Sequence, residues 1–158
     1  MNSSSRSTTG PSSSPVSAPK PLTLKRFARA KSAHLIAKVE ERMAAAADRG
    51  ADEESVHDLR TSIRRLSECL RAFEALYPLG EAGRLRRKLR KLMQLAAEVR
   101  NRDIAGELFV KAGLASDDTL FVRLNAEKHE WQSALTDKIV AWTEKERAKQ
   151  WRGIVKAK

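Results

Sequence analysis

Val56-His57-Asp58-Leu59-Arg60-Thr61-Ser62-Ile63-Arg64-Arg65-Leu66-Ser67-Glu68-Cys69-Leu70-Arg71-Ala72-Phe73 divides into two chemistries when its residues are set at the angular spacing of an α-helix. At about 100° per residue, Leu59, Ile63, Leu66, Leu70 and Phe73 share one side. His57, Arg60, Arg64 and Arg71 share the opposite side within a wedge of about 60°, with Arg65 at its edge. Asp52 and Ser55 suit the start of such a helix. The stretch therefore reads as an amphipathic helix over roughly 53–76, apolar towards a core and basic away from it.

The same division recurs on both sides of it. Downstream, Leu85, Leu89, Leu92, Met93 and Ala96 form one stripe, while Arg84, Arg87 and Lys91 point away, flanked by Arg86, Lys88 and Arg90. Upstream, Leu35, Ile36, Val39 and Met43 make an apolar stripe beside Lys31, Lys38 and Arg42. Near the end of the chain, Leu120, Leu124, Trp131, Leu135, Ile139 and Trp142 recur at helical spacing. Breaks fall at Arg49-Gly50, at Tyr77-Pro78-Leu79-Gly80 and at Gly113 with Ser116. Four helices follow, over roughly 23–48, 53–76, 81–111 and 117–150, joined by short turns. The expected fold is all-α, an antiparallel four-helix bundle. Residues 1–21 are mostly Ser, Thr, Pro and Gly and cannot bury enough apolar surface to offset their ordering entropy, so a disordered tail is expected ahead of the bundle.

Composition narrows the partners. Lys and Arg number 31 against 20 Asp and Glu, a formal net charge of +11. Such an excess favours ligands dense in negative charge: nucleic acid, polyphosphate or an anionic membrane. Cys69 is the only cysteine, which excludes an intramolecular disulfide and suits a reducing compartment. No apolar run approaches the ~20 residues of a spanning helix, and no signal peptide is recognisable. A soluble cytoplasmic protein is expected.

A basic helix face is commonly just solvated and balanced by nearby acids. Here the acids are sparse: Glu68 lies inside the wedge of the second helix and Glu98 on the polar face of the third. Guanidinium groups in a row suit a chain of phosphates, because each offers a planar fork of donors and keeps its charge at any relevant pH. Catalytic signatures are thin. His34, His57 and His129 fall on separate helices, with no zinc-binding spacing. Asp103 and Glu107, one turn apart, are a nonspecific carboxylate pair. No Gly-rich phosphate loop and no nucleophile–base pair is evident. No catalytic residue, metal site or cofactor is expected.

The run Val56 to Leu66, continuing through Leu70-Arg71-Ala72-Phe73, resembles the signature of the CHAD family, the conserved histidine α-helical domain. Leu89-Arg90-Lys91-Leu92 and Val99-Arg100-Asn101-Arg102-Asp103-Ile104 resemble that family's second and third elements, in the right order. Asn101 stands where the family usually carries its first Asp, and Ala97 stands near a usual Gly. The motifs lie within 23–112 of a bundle expected over 22–152. The resemblance implies a helical bundle that binds inorganic polyphosphate, with a cytoplasmic location at polyphosphate granules. By motif match it implies His57, Arg60, Arg64, Arg65, Arg71, Arg90 and Arg100 as ligand-facing residues, with Asp103 orienting an arginine. Arg87 and Lys91 join the expected polyphosphate-binding set from the basic face of the third helix. The family domain typically pairs two such bundles across a shared basic channel. Because only the first bundle's motifs are present, the expectation is either a half-domain with an open basic surface or a homodimer that rebuilds the pair.

Nucleic acid is the competing polyanion. Reading bases would require a helix presenting Asn, Gln or Arg at a groove-entering end, and no helix-turn-helix composition is visible. The tryptophans of the last helix lie off the basic face, where stacking platforms for bases would be needed. They read most simply as core.

Overall fold

The computed structural model describes residues 23–48 and 52–144. Among these residues four α-helices succeed one another: α1 Leu24–Ala47, α2 Glu53–Ala72, α3 Glu81–Lys111 and α4 Thr119–Glu144. No strand occurs among the described residues. The expected tail over 1–21, the break at Arg49-Gly50 and any extension of the last helix to 150 lie outside them.

Helix ends follow local chemistry. Thr23 caps α1 by accepting from the Arg26 amide at 3.3 Å. Asp52 caps α2 by accepting from the Ser55 amide at 2.8 Å and from its hydroxyl at 2.6 Å. These bonds, the hydroxyl's first, hold the Asp52 carboxyl below the ordinary carboxylate range. The second helix was expected to reach 76. Instead α2 stops at Ala72 and a separate 3₁₀ turn spans Glu74–Leu76. Pro78 forces the residue before it into extended backbone, and Tyr77 adopts ψ 162°. α3 closes on Gly113 in the left-handed region (φ 79°). There the Leu114 amide donates to the Phe109 carbonyl and the Gly113 amide to Val110, the paired bonds of a Schellman end.

Contacts between helices fix the order as up-down-up-down. Arg42 pairs with Asp58 at 3.2 Å, and Ser32 Oγ approaches Cys69 Sγ at 3.4 Å, so α1 and α2 run antiparallel. Arg100 pairs with Glu53, and Arg86 reaches Glu74 at 3.5 Å, which sets α3 against α2. Lys128 meets Asp103 at 2.6 Å and sets α4 against α3. The Gln132 side chain donates to the Ala46 carbonyl at 3.1 Å and closes the ring between α4 and α1.

The expected stripes supply the core. Leu35, Ile36, Val39 and Met43 meet Leu59, Ile63, Leu66 and Leu70, and Leu85, Leu89, Leu92 and Ala96 join them from α3. Phe73, Met93 and Trp131 are only partly buried at its margin. α4 departs from the pattern. Leu135, Ile139 and Trp142 are buried, but Leu124 is half-buried and Leu120 is 56% exposed. Tyr77, which the sequence placed in a loop, is buried, and its hydroxyl lies 2.5 Å from Ser32 Oγ. Burial pushes the Tyr77 phenol above its ordinary range. No helix among the described residues is long and apolar enough to cross a membrane.

Candidate functional site

Antiparallel packing of α2 on α3 brings two basic faces together along one seam. Arg64, Ser67 and Glu68 of α2 and Arg86, Arg90 and Met93 of α3 line a shallow groove of about 180 Å³, floored by Ile63. Arg64 and Arg90 are both exposed. Arg60 lies one turn before Arg64 on the same face and is half-buried, and its Nε has no hydrogen-bond partner among the described residues. Arg60, Arg64 and Arg90 enter no ion pair among the described residues. Three guanidinium groups from two helices thus stand outside any ion pair among the described residues at the middle of the seam, where the Glu68 carboxylate beside them is taken up by Arg71. The same groups would repel one another less with an anion between them.

The ends of the seam are different. At one end Arg71 pairs with Glu68 at 2.5 Å and Arg86 with Glu74. At the other, Arg100 is gripped by Glu53 and reached by Glu107 at 3.5 Å. Here His57 and Arg100 share an open depression of about 470 Å³ with Asp52, Glu53 and Glu54. His57 and Arg100 therefore stand among carboxylates, unlike the central arginines. Sequence reasoning missed Glu53 and Arg86 as members of the seam, although spacing signalled both. Glu53 is one turn before His57 and Arg86 one turn before Arg90, so each falls on its neighbour's face.

Three of the expected residues lie elsewhere. Arg65 sits about 100° around α2 from Arg64, on the side where Asp58 and Cys69 meet α1. Arg87 and Lys91 are exposed on α3 and do not line the groove. Helical spacing puts Lys91 close to the direction of Arg102, which lies over the Trp131 ring of α4 at 5.5 Å. Asp103 was expected to orient an arginine. It is buried and pairs with Lys128 of α4, because its place on α3 faces the interior rather than the arginine flank. No group of His, Cys, Asp and Glu that could hold a metal ion occurs among the described residues.

An up-and-down bundle with an arginine-lined groove between its second and third helices defines the architectural class. The chain belongs to the CHAD family: the family model, described as CHAD domain, matches residues 26–157, nearly the whole chain. No curated protein and no solved structure is matched by the chain.

Proposed function

We propose that this protein binds inorganic polyphosphate along the α2–α3 seam, as a binding module rather than an enzyme. The observation that carries the reading is the group Arg60, Arg64 and Arg90, drawn from two helices and in no ion pair among the described residues. Guanidinium forks can each engage phosphate oxygens through paired donors, and a linear polyanion can follow a seam between two parallel helix axes. Family membership supports the same ligand, and the proposal extends to a place at cytoplasmic polyphosphate granules. Arginine keeps its proton at neutral pH, so these groups suit holding charge better than exchanging protons. His57 and Arg100 act in this reading as an end station, reached when the anion displaces Glu53.

A competition experiment tests it. Labelled long-chain polyphosphate bound to the protein is challenged with duplex DNA, heparin and triphosphate at fixed salt. The expected outcome is displacement by unlabelled polyphosphate well ahead of DNA at equal phosphate concentration, with affinity falling steeply as salt rises through counterion release. A variant carrying Arg60→Glu, Arg64→Glu and Arg90→Glu should lose binding. Equal displacement by DNA would transfer the groove to nucleic acid, and unchanged binding by the triple variant would remove it from the seam.

A further inference from the structure

α3 and α4 outrun the pair they pack against. The Gln132 bond to Ala46 marks where α1 ends against α4, and the Arg100–Glu53 pair marks where α2 begins against α3. The Asp103–Lys128 pair stands near that rim. Beyond it, residues 104–111 of α3 and 119–127 of α4 continue as a two-helix hairpin about 12 Å long at the helical rise per residue. Among the described residues, the last buried position of α3 is Asp103 and the first of α4 is Leu135.

The hairpin is nonetheless apolar. Ile104, Leu108, Val110 and Leu120 are 42%, 58%, 63% and 56% exposed, and Phe121 and Leu124 are half-buried beside them. By helical spacing, Val110, Leu120, Phe121 and Leu124 fall within about 60° of the directions in which Asp103 and Leu135 face the bundle interior. They continue the inner side of the bundle past the point where α1 and α2 supply neighbours. The Phe109 and Phe121 rings, 6.1 Å apart, tie the two overhanging helices to each other.

Reach and charge both bear on what covers this face. Residues 49–51, which join α1 to α2, are too few. Thr23 and Glu144 stand at the opposite end of the bundle, about 36 Å away along α1 or α4. Residues 1–22 carry almost no large apolar side chain. The segment after Glu144 would have to run back fully extended along the whole of α4 to place Ile154 against Leu120. Charge favours a second copy. Between 104 and 124 there are three acids (Glu107, Asp117, Asp118) against two bases (Lys111, Arg123), net −1, in a chain whose net charge is +11. Two copies repel least there.

We propose that the overhanging α3–α4 hairpin is a self-association surface, on which two copies pack inner face to inner face as a two-fold, four-helix contact. The proposal is independent of the polyphosphate reading. Two helices over about 12 Å offer less than the ~800 Å² per partner of a standard stable interface, so the dimer is weak and concentration-dependent.

Sedimentation equilibrium of the full chain without polyphosphate, over an about hundredfold concentration range, tests it. The expected weight-average mass rises from 17.7 kDa towards twice that value. Val110→Glu with Leu120→Glu should hold it at the monomer mass with unchanged helical circular dichroism, and Val110→Ser with Leu120→Ser serves if the charged pair unfolds. Val122→Glu, on an exposed residue turned away from the inner face, should leave association intact. A wild type that stays monomeric throughout overturns the proposal. So does association that survives the Val110 and Leu120 changes, or that Val122→Glu abolishes equally.

Discussion

The two parts of α3 carry similar apolar content and meet different fates. From Ala82 to Asp103 every core-facing position is buried, and one flank of the helix forms a basic groove with α2. From Ile104 to Lys111 the helix continues without a break, yet Val110, within about 20° of the direction of Asp103, remains open, as does Ile104. Nothing in the local sequence changes at Asp103. What changes is the neighbour, since α2 begins only at Glu53, level with Arg100. A side chain's contribution is set by what lies opposite it, and on this helix that boundary separates stabilising residues from available ones.

The largest expected contrast is in stability. Leu92 is fully buried, so Leu92→Ala should cost about 2–5 kcal/mol through lost transfer energy and a residual cavity. Val110→Ala, in the same direction on the helix but 63% exposed, should stay within about 0.5 kcal/mol of wild type at low protein concentration. Urea titrations of both variants check this, and equal losses would erase the boundary.

Within the enclosed part, the contrast moves to the two flanks. Arg90→Ala and Arg64→Ala should each weaken polyphosphate binding about tenfold, the loss of a charge-assisted contact, and make the salt dependence shallower. Arg87→Ala with Lys91→Ala, on the outward flank, should cost only a few-fold together, through general charge. Fluorescence titration at two salt concentrations distinguishes the flanks.

At the boundary itself, Glu53→Gln removes one carboxylate from Arg100 and should tighten binding by about two- to fivefold, because the anion no longer competes with it. Weaker binding in that variant would mean that Glu53 positions Arg100 for the ligand.

A further contrast lies at the opposite end of the bundle. Tyr77→Phe should cost about 1 kcal/mol near neutral pH through the lost bond to Ser32. The raised phenol gives a definite sign. Its contribution is complete below the unfolded value near 10.0 and is lost as pH rises from there through the folded value. The variant should therefore lose less stability than wild type in alkaline melts.

Much of this was legible beforehand for a physical reason. The helices announce themselves because Leu59, Ile63, Leu66 and Leu70 repeat at the period of the backbone, and burial follows that period directly. Glu53 and Arg86 were also legible, one turn from residues already singled out. Arg64 and Arg65 look equivalent as neighbours in sequence, yet one lines the groove and the other turns towards α1.

By itself, then, the sequence determined four amphipathic helices, their turns and an excess of arginine on polar faces, because those depend on spacing along one chain. Tertiary structure decided which arginines meet across α2 and α3, which are neutralised by Glu53, Glu68 and Glu74, and that Asp103 answers Lys128. It also decided that Leu120, at perfect helical spacing, stays uncovered. Those outcomes depend on relative helix lengths and on which residues come level between helices, and no periodicity within a single helix encodes them.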